Sequence, residues 1–258
     1  AGRAALYNRR AHLFSYDFAK AVLRSAPEHA VVVAKKDVPL YALWSYQRLQ
    51  LWRPDVRVVA QGLAGSPWYQ AGWRRQDPSL GLLALGSAQD WRTFAALNAG
   101  AFATTDAELP AEISAACRPR GLLSSIDGAR ALEPRLLELD ARRGAYDYGA
   151  QPDFFTSDLI DAHAQALFRL GSALALSGGA AQAQPLLLRA WAMHWEFPEA
   201  PMLLGYLAYT QGRFEEAGRL YSLAARLLDE LLARASQFRA LPAVTGGIRR
   251  MSAEALMH

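Results

Sequence analysis

Cysteine is almost missing from this sequence. Cys117 stands alone, so an intrachain disulfide and a thiolate metal cluster are both excluded. Lysine is nearly as scarce, occurring only at positions 20, 35 and 36. The five histidines, at 12, 29, 163, 194 and 258, show neither H-x-x-x-H nor H-x-H spacing, which removes the usual basis for a histidine metal site. No apolar run reaches the roughly 18–20 residues that span a bilayer. Arg3, Arg9 and Arg10 near the start are followed by no signal-peptide core. G-x-G-x-x-G, G-x-x-x-x-G-K-[ST] and G-x-S-x-G are all missing, so nucleotide binding and serine-hydrolase chemistry have no motif to stand on. No catalytic residue, metal ligand or cofactor is therefore assigned.

What remains is the composition of a packed protein. Of the 258 residues, 52% are hydrophobic and 20% charged, enough apolar content for one large domain or two small ones and too much for disorder. The net charge of +4 is spread along the chain in short pairs such as Arg74-Arg75 and Arg249-Arg250. Such pairs read as solvated faces, and nucleic acid is not an expected partner.

The strongest internal signal is a repeat. Leu170-Gly171 recurs as Leu204-Gly205, 204 − 170 = 34 residues later, and at that offset Gly178 pairs with Gly212, Ala183 with Ala217, Leu187 with Tyr221 and Ala190 with Ala224. Thirty-four residues is the tetratricopeptide (TPR) period. Glycine inside a helix allows a second helix to approach closely, and glycine at its end terminates the turn in a left-handed conformation at little cost. Residues 156–238 are accordingly read as two TPR hairpins, the last helix extending as a cap, with a tail from 239 to 258. In that register Gln165, Phe168, Ser172, Met202, Tyr206 and Tyr209 face the concave side, where they bind a protein or peptide partner or are buried against neighbouring chain.

The N-terminal half alternates differently. Phe18, Val22 and Leu23 follow helical spacing over 15–25, with Ser15 as a candidate cap and Pro27 as a stop. AVVVA (30–34) and VRVVA (56–60) read as buried strands around a helix over 39–52, a βαβ unit with parallel pairing. LGLLALG (80–86) and GLLSSI (121–126) are read as further strands, and a helix capped by Asp90 is expected over about 90–102. The fold class is a small parallel, Rossmann-like α/β domain over 13–126, followed by a connector (127–155) and the all-α hairpins.

Ligands in such sheets sit beyond the carboxyl ends of the strands. Lys35, Lys36, Asp37 and Gln61 fall there and form a candidate site for an anionic or polyol ligand. The plainer reading is loop solvation, with Asp37 capping the next helix. Trp68-Tyr69 opens a helix near a strand end and is the candidate sugar-stacking pair in an aromatic-rich stretch from 41 to 73. Aromatics at helical spacing, such as Tyr41, Trp44 and Trp52, belong more naturally to the core.

These residues carry a resemblance. Asp37 after the first strand, Leu43-Trp44 and Gln47, then Arg53-Pro54-Asp55-Val56, then Trp68-Tyr69 stand in the order found in the soluble tail of a bacterial membrane family related to protein O-mannosyltransferases. CRPRGLL (117–123) resembles a later strand entry of that family, and TPR repeats follow. The resemblance implies an extracytoplasmic, periplasmic region, joined through residues 1–12 to a preceding membrane domain. The catalytic carboxylate of such glycosyltransferases lies in that membrane domain, so no catalytic role transfers to this chain. The expected function is a non-catalytic binding region that recognises a glycan, a glycan acceptor or a protein partner. Two alternatives remain open: a small carbohydrate-active or ligand-binding enzyme with its site at the strand ends, and a cytoplasmic TPR adaptor.

Overall fold

The computed structural model describes residues 13–126 and 154–237. The expected leading linker, the connector as far as residue 153 and the tail from 239 lie outside them. The chain divides into two compact units, Ala1–Ala166 and Leu167–His258.

In the first unit, α1 (Phe14–Ser25) buries Phe18, Val22 and Leu23. Ser15 does not cap it; the N-cap is Leu13, with no side-chain hydrogen bond. β1 (Val31–Ala34) is buried along its whole length, as a strand covered on both faces must be. α2 (Asp37–Gln50) carries Pro39 in its first turn and leads to β2 (Arg57–Ala60). A 3-10 turn, Gln61–Leu63, and α3 (Pro67–Gln76) follow. Then come α4 (Ala88–Leu97), β3 (Ala101–Thr104), α5 (Ala111–Ala116), β4 (Arg118–Arg120) and β5 (Leu123–Ser125).

The sheet order is β2-β1-β3-β5-β4. β1 pairs in parallel with β2 and β3, whereas β5 runs antiparallel to β3 and to β4. The wholly parallel sheet expected from sequence is thus a mixed one, because residues 118–125 form a hairpin through Gly121 at φ 56°.

Two other expectations change. The helix over 90–102 is α4, ending at Leu97. Its N-cap is Ser87, and Asp90 completes a capping box with it from the third helical position. The run 80–86 forms no strand. Its backbone finds side chains in place of a ladder: the Asn98 amide donates to Gly81 O at 2.9 Å and accepts from Gly81 N at 3.1 Å, and Gln61 donates to Leu85 O at 3.2 Å. The strand appears instead at 101–104, after Gly100 turns the chain at φ 74°.

α6 (Phe154–Leu176) begins in the first unit, and from Leu167 onward its residues belong to the second. α7 (Ala180–Met193), α8 (Glu199–Thr210) and α9 (Phe214–Gln237) complete the described chain. Helices α6–α7 and α8–α9 close in the same way. Gly178 (φ 85°) and Gly212 (φ 74°) sit at the turns. Gly179 N donates to Leu174 O at 2.8 Å, and Arg213 N to Ala208 O at 2.9 Å, each five residues back.

The helical glycines also correspond. A Cβ on Gly171 would lie 2.9 Å from Leu187 Cδ2, and one on Gly205 would lie 3.2 Å from the Tyr221 ring. Ala183, Leu187, Leu204 and Leu207 form one buried cluster, and Ala208, Ala217 and Tyr221 another.

Candidate functional site

β2 stands at an edge of the sheet, where outward N–H and C=O groups invite another strand to pair. Here helix side chains close them. The Trp44 indole donates to Val58 O at 3.2 Å and the Gln47 amide to Val56 O at 2.9 Å, while the Tyr69 hydroxyl accepts from Ala60 N at 3.0 Å. Gln47 also donates to Arg53 O at 2.8 Å.

Arg53 is a second latch. Held at φ 53°, it donates to Leu23 O (2.7 Å), Ala26 O (2.9 Å) and Pro27 O (2.7 Å), tying the end of α1 and its exit loop to the entry of β2. It also grips both oxygens of Asp55 at 2.9 Å, and Asp55 accepts from His29 N at 3.0 Å. These hydrogen bonds, led by those from Arg53, hold the Asp55 carboxyl far below the ordinary carboxylate range.

Between α2 and α3, alongside β2, opens a cleft of about 1170 Å³. Its walls present the rings of Trp44, Trp68 and Trp73 together with Arg48, Arg57 and Asp77. Trp68 is 65% exposed. Tyr69, buried between Trp68 and Trp73 with edge-on ring contacts at 5.7 and 6.4 Å, props both rings. Arg57 and Asp77 pair at 3.1 Å. Hydrogen bonding, first from the Ser79 hydroxyl and later from Arg57, lowers the Asp77 carboxyl. Flat apolar faces beside fixed charged groups suit a ligand with apolar patches and many hydroxyls or amides. Among the described residues, no group of three or more His, Cys, Asp or Glu is placed to hold a metal ion.

The carboxyl ends of the strands look different. Lys35, Lys36 and Gln61 do converge there, but each is engaged by the chain itself. Asp106 Oδ2 accepts from the backbone N–H groups of Lys35 and Lys36, both at 2.8 Å, so a carboxylate already occupies the amide pair that follows β1. Lys35 pairs with Glu108 and Lys36 with Asp158. Gln61 is buried, donating to Glu108 O at 3.0 Å and accepting from Glu108 N at 2.9 Å. Asp37 is exposed and lines a separate groove with Tyr41 and Tyr46. Asp106, Glu108 and Asp158 had no motif to announce them.

Of the helical candidates in the second unit, Phe168 is half-buried, with an edge-on contact to Phe197 at 5.0 Å. Met202 is half-buried against Ala224, Ala225 and Leu228. Ser172 Oγ is buried without a hydrogen-bond partner. Tyr206 and Tyr209 are about half-exposed, at 48% and 51%. Burial first, and then these two neighbouring phenols, push the Tyr221 hydroxyl up. Gln165 lies in the first unit, half-exposed. No helix among the described residues is long and apolar enough to cross a membrane.

No curated protein and no solved structure matches the chain. A family model described as TMEM260-associated domain 2 matches residues 15–79, the stretch holding α1, β1, α2, β2 and α3, and the chain is similar to that domain over the residues that latch the edge strand and frame the cleft.

Proposed function

We propose that this chain is a non-catalytic recognition region of a membrane glycosyltransferase-like protein, working on the extracytoplasmic side of a bacterial inner membrane. It binds a glycan or a glycan-acceptor peptide in the cleft beside β2. Its helices α6–α9 are two TPR-type hairpins that hold a protein partner, with Tyr206 and Tyr209 offering the accessible contacts.

One observation carries the reading: the cleft walled by Trp44, Trp68 and Trp73 lies wholly within the segment similar to TMEM260-associated domain 2. The motif residues Trp44, Gln47, Arg53, Asp55 and Tyr69 form the framework around it. A site at the strand ends is disfavoured, because Asp106 and Glu108 consume the groups it would use.

The test is titration of the full chain, by calorimetry and tryptophan fluorescence, with mannose-type oligosaccharides and with serine/threonine-rich peptides. One class should bind, and Trp68→Ala together with Trp73→Ala should weaken it at least about fivefold through lost ring contact. Binding by neither class, or binding indifferent to both substitutions, overturns the cleft assignment.

A further inference from the structure

The outer face of α1 and α2 carries a second surface, which borders the cleft at Arg48 and Leu51. Tyr16, Tyr46 and Trp52 form a ladder of edge-on rings with centroids 5.0 and 5.4 Å apart. Lys20 lies over the Tyr16 ring at 5.7 Å, and Arg24, one turn further along α1, over Trp52 at 5.9 Å. Beside the ladder, the last turn of α2 carries Arg48 and Leu49, and Leu51 follows its end. Leu49 is 78% and Leu51 81% exposed.

Leu51 is the informative residue. It ends α2 in the left-handed conformation, φ 49° and ψ 34°, where glycine or asparagine fits better than a bulky side chain. A leucine there bears backbone strain and buries almost nothing in the fold. Strain retained without a packing return points to use. A shallow groove of about 550 Å³, lined by Tyr16, Tyr41, Tyr46 and Leu49, runs from this end toward Asp37.

Charge selects the partner. None of Lys20, Arg24 and Arg48 pairs with a carboxylate among the described residues. Asp37 stands at the far end of the groove, and Glu28 acts on Arg53. Cationic heads over aromatic rings, next to leucines that stand out from the surface, make up the chemistry of a bilayer interface: rings at headgroup depth, aliphatic side chains below, basic groups against phosphates. A protein partner would need a matching concavity for two protruding leucines, whereas a lipid surface supplies one anywhere.

We infer that the ends of α1 and α2, through Leu49, Leu51 and Trp52 with Lys20, Arg24 and Arg48, dock this unit on a membrane surface bearing anionic headgroups. The test is flotation of the full chain with vesicles of phosphatidylcholine alone and of phosphatidylcholine mixed with phosphatidylglycerol. The chain should float with the mixed vesicles and fall away from them as salt is raised. Leu49→Ser with Leu51→Gly should lower partitioning at least about tenfold by withdrawing both leucines. The melting temperature should hold, because both side chains are exposed and glycine relieves the left-handed turn. Lys20→Gln, Arg24→Gln and Arg48→Gln together should erase the preference for the anionic vesicles. Failure of the wild-type chain to float at low salt overturns the proposal, as does a leucine variant that floats like wild type. A concentration-dependent dimer in ultracentrifugation, lost in the leucine variant, reassigns the surface to a second copy of the chain and equally overturns it.

Discussion

The two units are stabilised by different means. The sheet unit depends on polar latches that span long stretches of chain. Arg53 reaches three carbonyls of the α1–β1 segment, Gln61 bridges to Glu108, and Asp106 gathers the amides after β1. The helical unit depends on shape, with Gly171 against Leu187 and Gly205 against Tyr221. A latch fails when one group is removed and its partners are left without hydrogen bonds, whereas a shape contact fails when a group is added.

Removing the Arg53 latch tests the first half of that contrast and should have the largest effect. Arg53→Ala leaves three carbonyls without this donor and the Asp55 carboxylate without its charged partner, and should cost the sheet unit about 3 kcal/mol in urea unfolding. The pH dependence should change with it. Asp55 has a depressed carboxyl in the folded state, so its contribution is full above the unfolded value near pH 4 and fades as pH falls below it. The substituted chain should lose much of that acid limb.

Adding bulk tests the second half. Gly171→Leu or Gly205→Leu should cost the helical unit about 2 kcal/mol, followed by helical circular dichroism, by wedging apart a glycine contact. The sheet unit's unfolding should be unaffected. If Gly205→Leu lowers both units' stability equally, the contrast collapses.

This difference also governed what the sequence disclosed. Shape recurs at fixed spacing, so the pairs Gly171/Gly205, Gly178/Gly212 and Leu187/Tyr221 were legible from the offset alone. β1, α2 and β2 were legible too, because valine runs bracket a helical pattern. Latches have no period. Asn98 and Gln61 take up backbone groups of Gly81 and Leu85, so the apolar run 80–86 reads as a strand and is not one. β3 hid behind Gly100, its short Ala-Phe-Ala-Thr read as the end of a helix. At the cleft, Trp68-Tyr69 reads as a pair, but its members divide the work: Trp68 faces the opening while Tyr69 caps the Ala60 amide. Arg57 and Asp77, twenty residues apart and without a motif, leave no trace of their pairing in the sequence.

The smallest expected effect concerns a carboxyl of the opposite kind. Burial pushes Glu199 up, with His194 opposing, and its Oε2 has no hydrogen-bond partner. A raised carboxyl contributes most below the unfolded value near pH 4, and that contribution is lost as pH rises through the folded value. Glu199→Gln should therefore raise the helical unit's stability at neutral pH and flatten its dependence above about pH 4. Thermal melts across that window give the sign, which is the reverse of the one expected at Asp55.

Closure of the β2 edge has a counterpart across the sheet. β4, the other outermost strand, is Arg118-Pro119-Arg120, and proline has no N–H to lend to an incoming chain. With both rims shut, the sheet is a finished object that a neighbour cannot lengthen. Many such domains can crowd together without zipping into fibres, and whatever they recognise must be read through side chains, where a single substitution changes the choice.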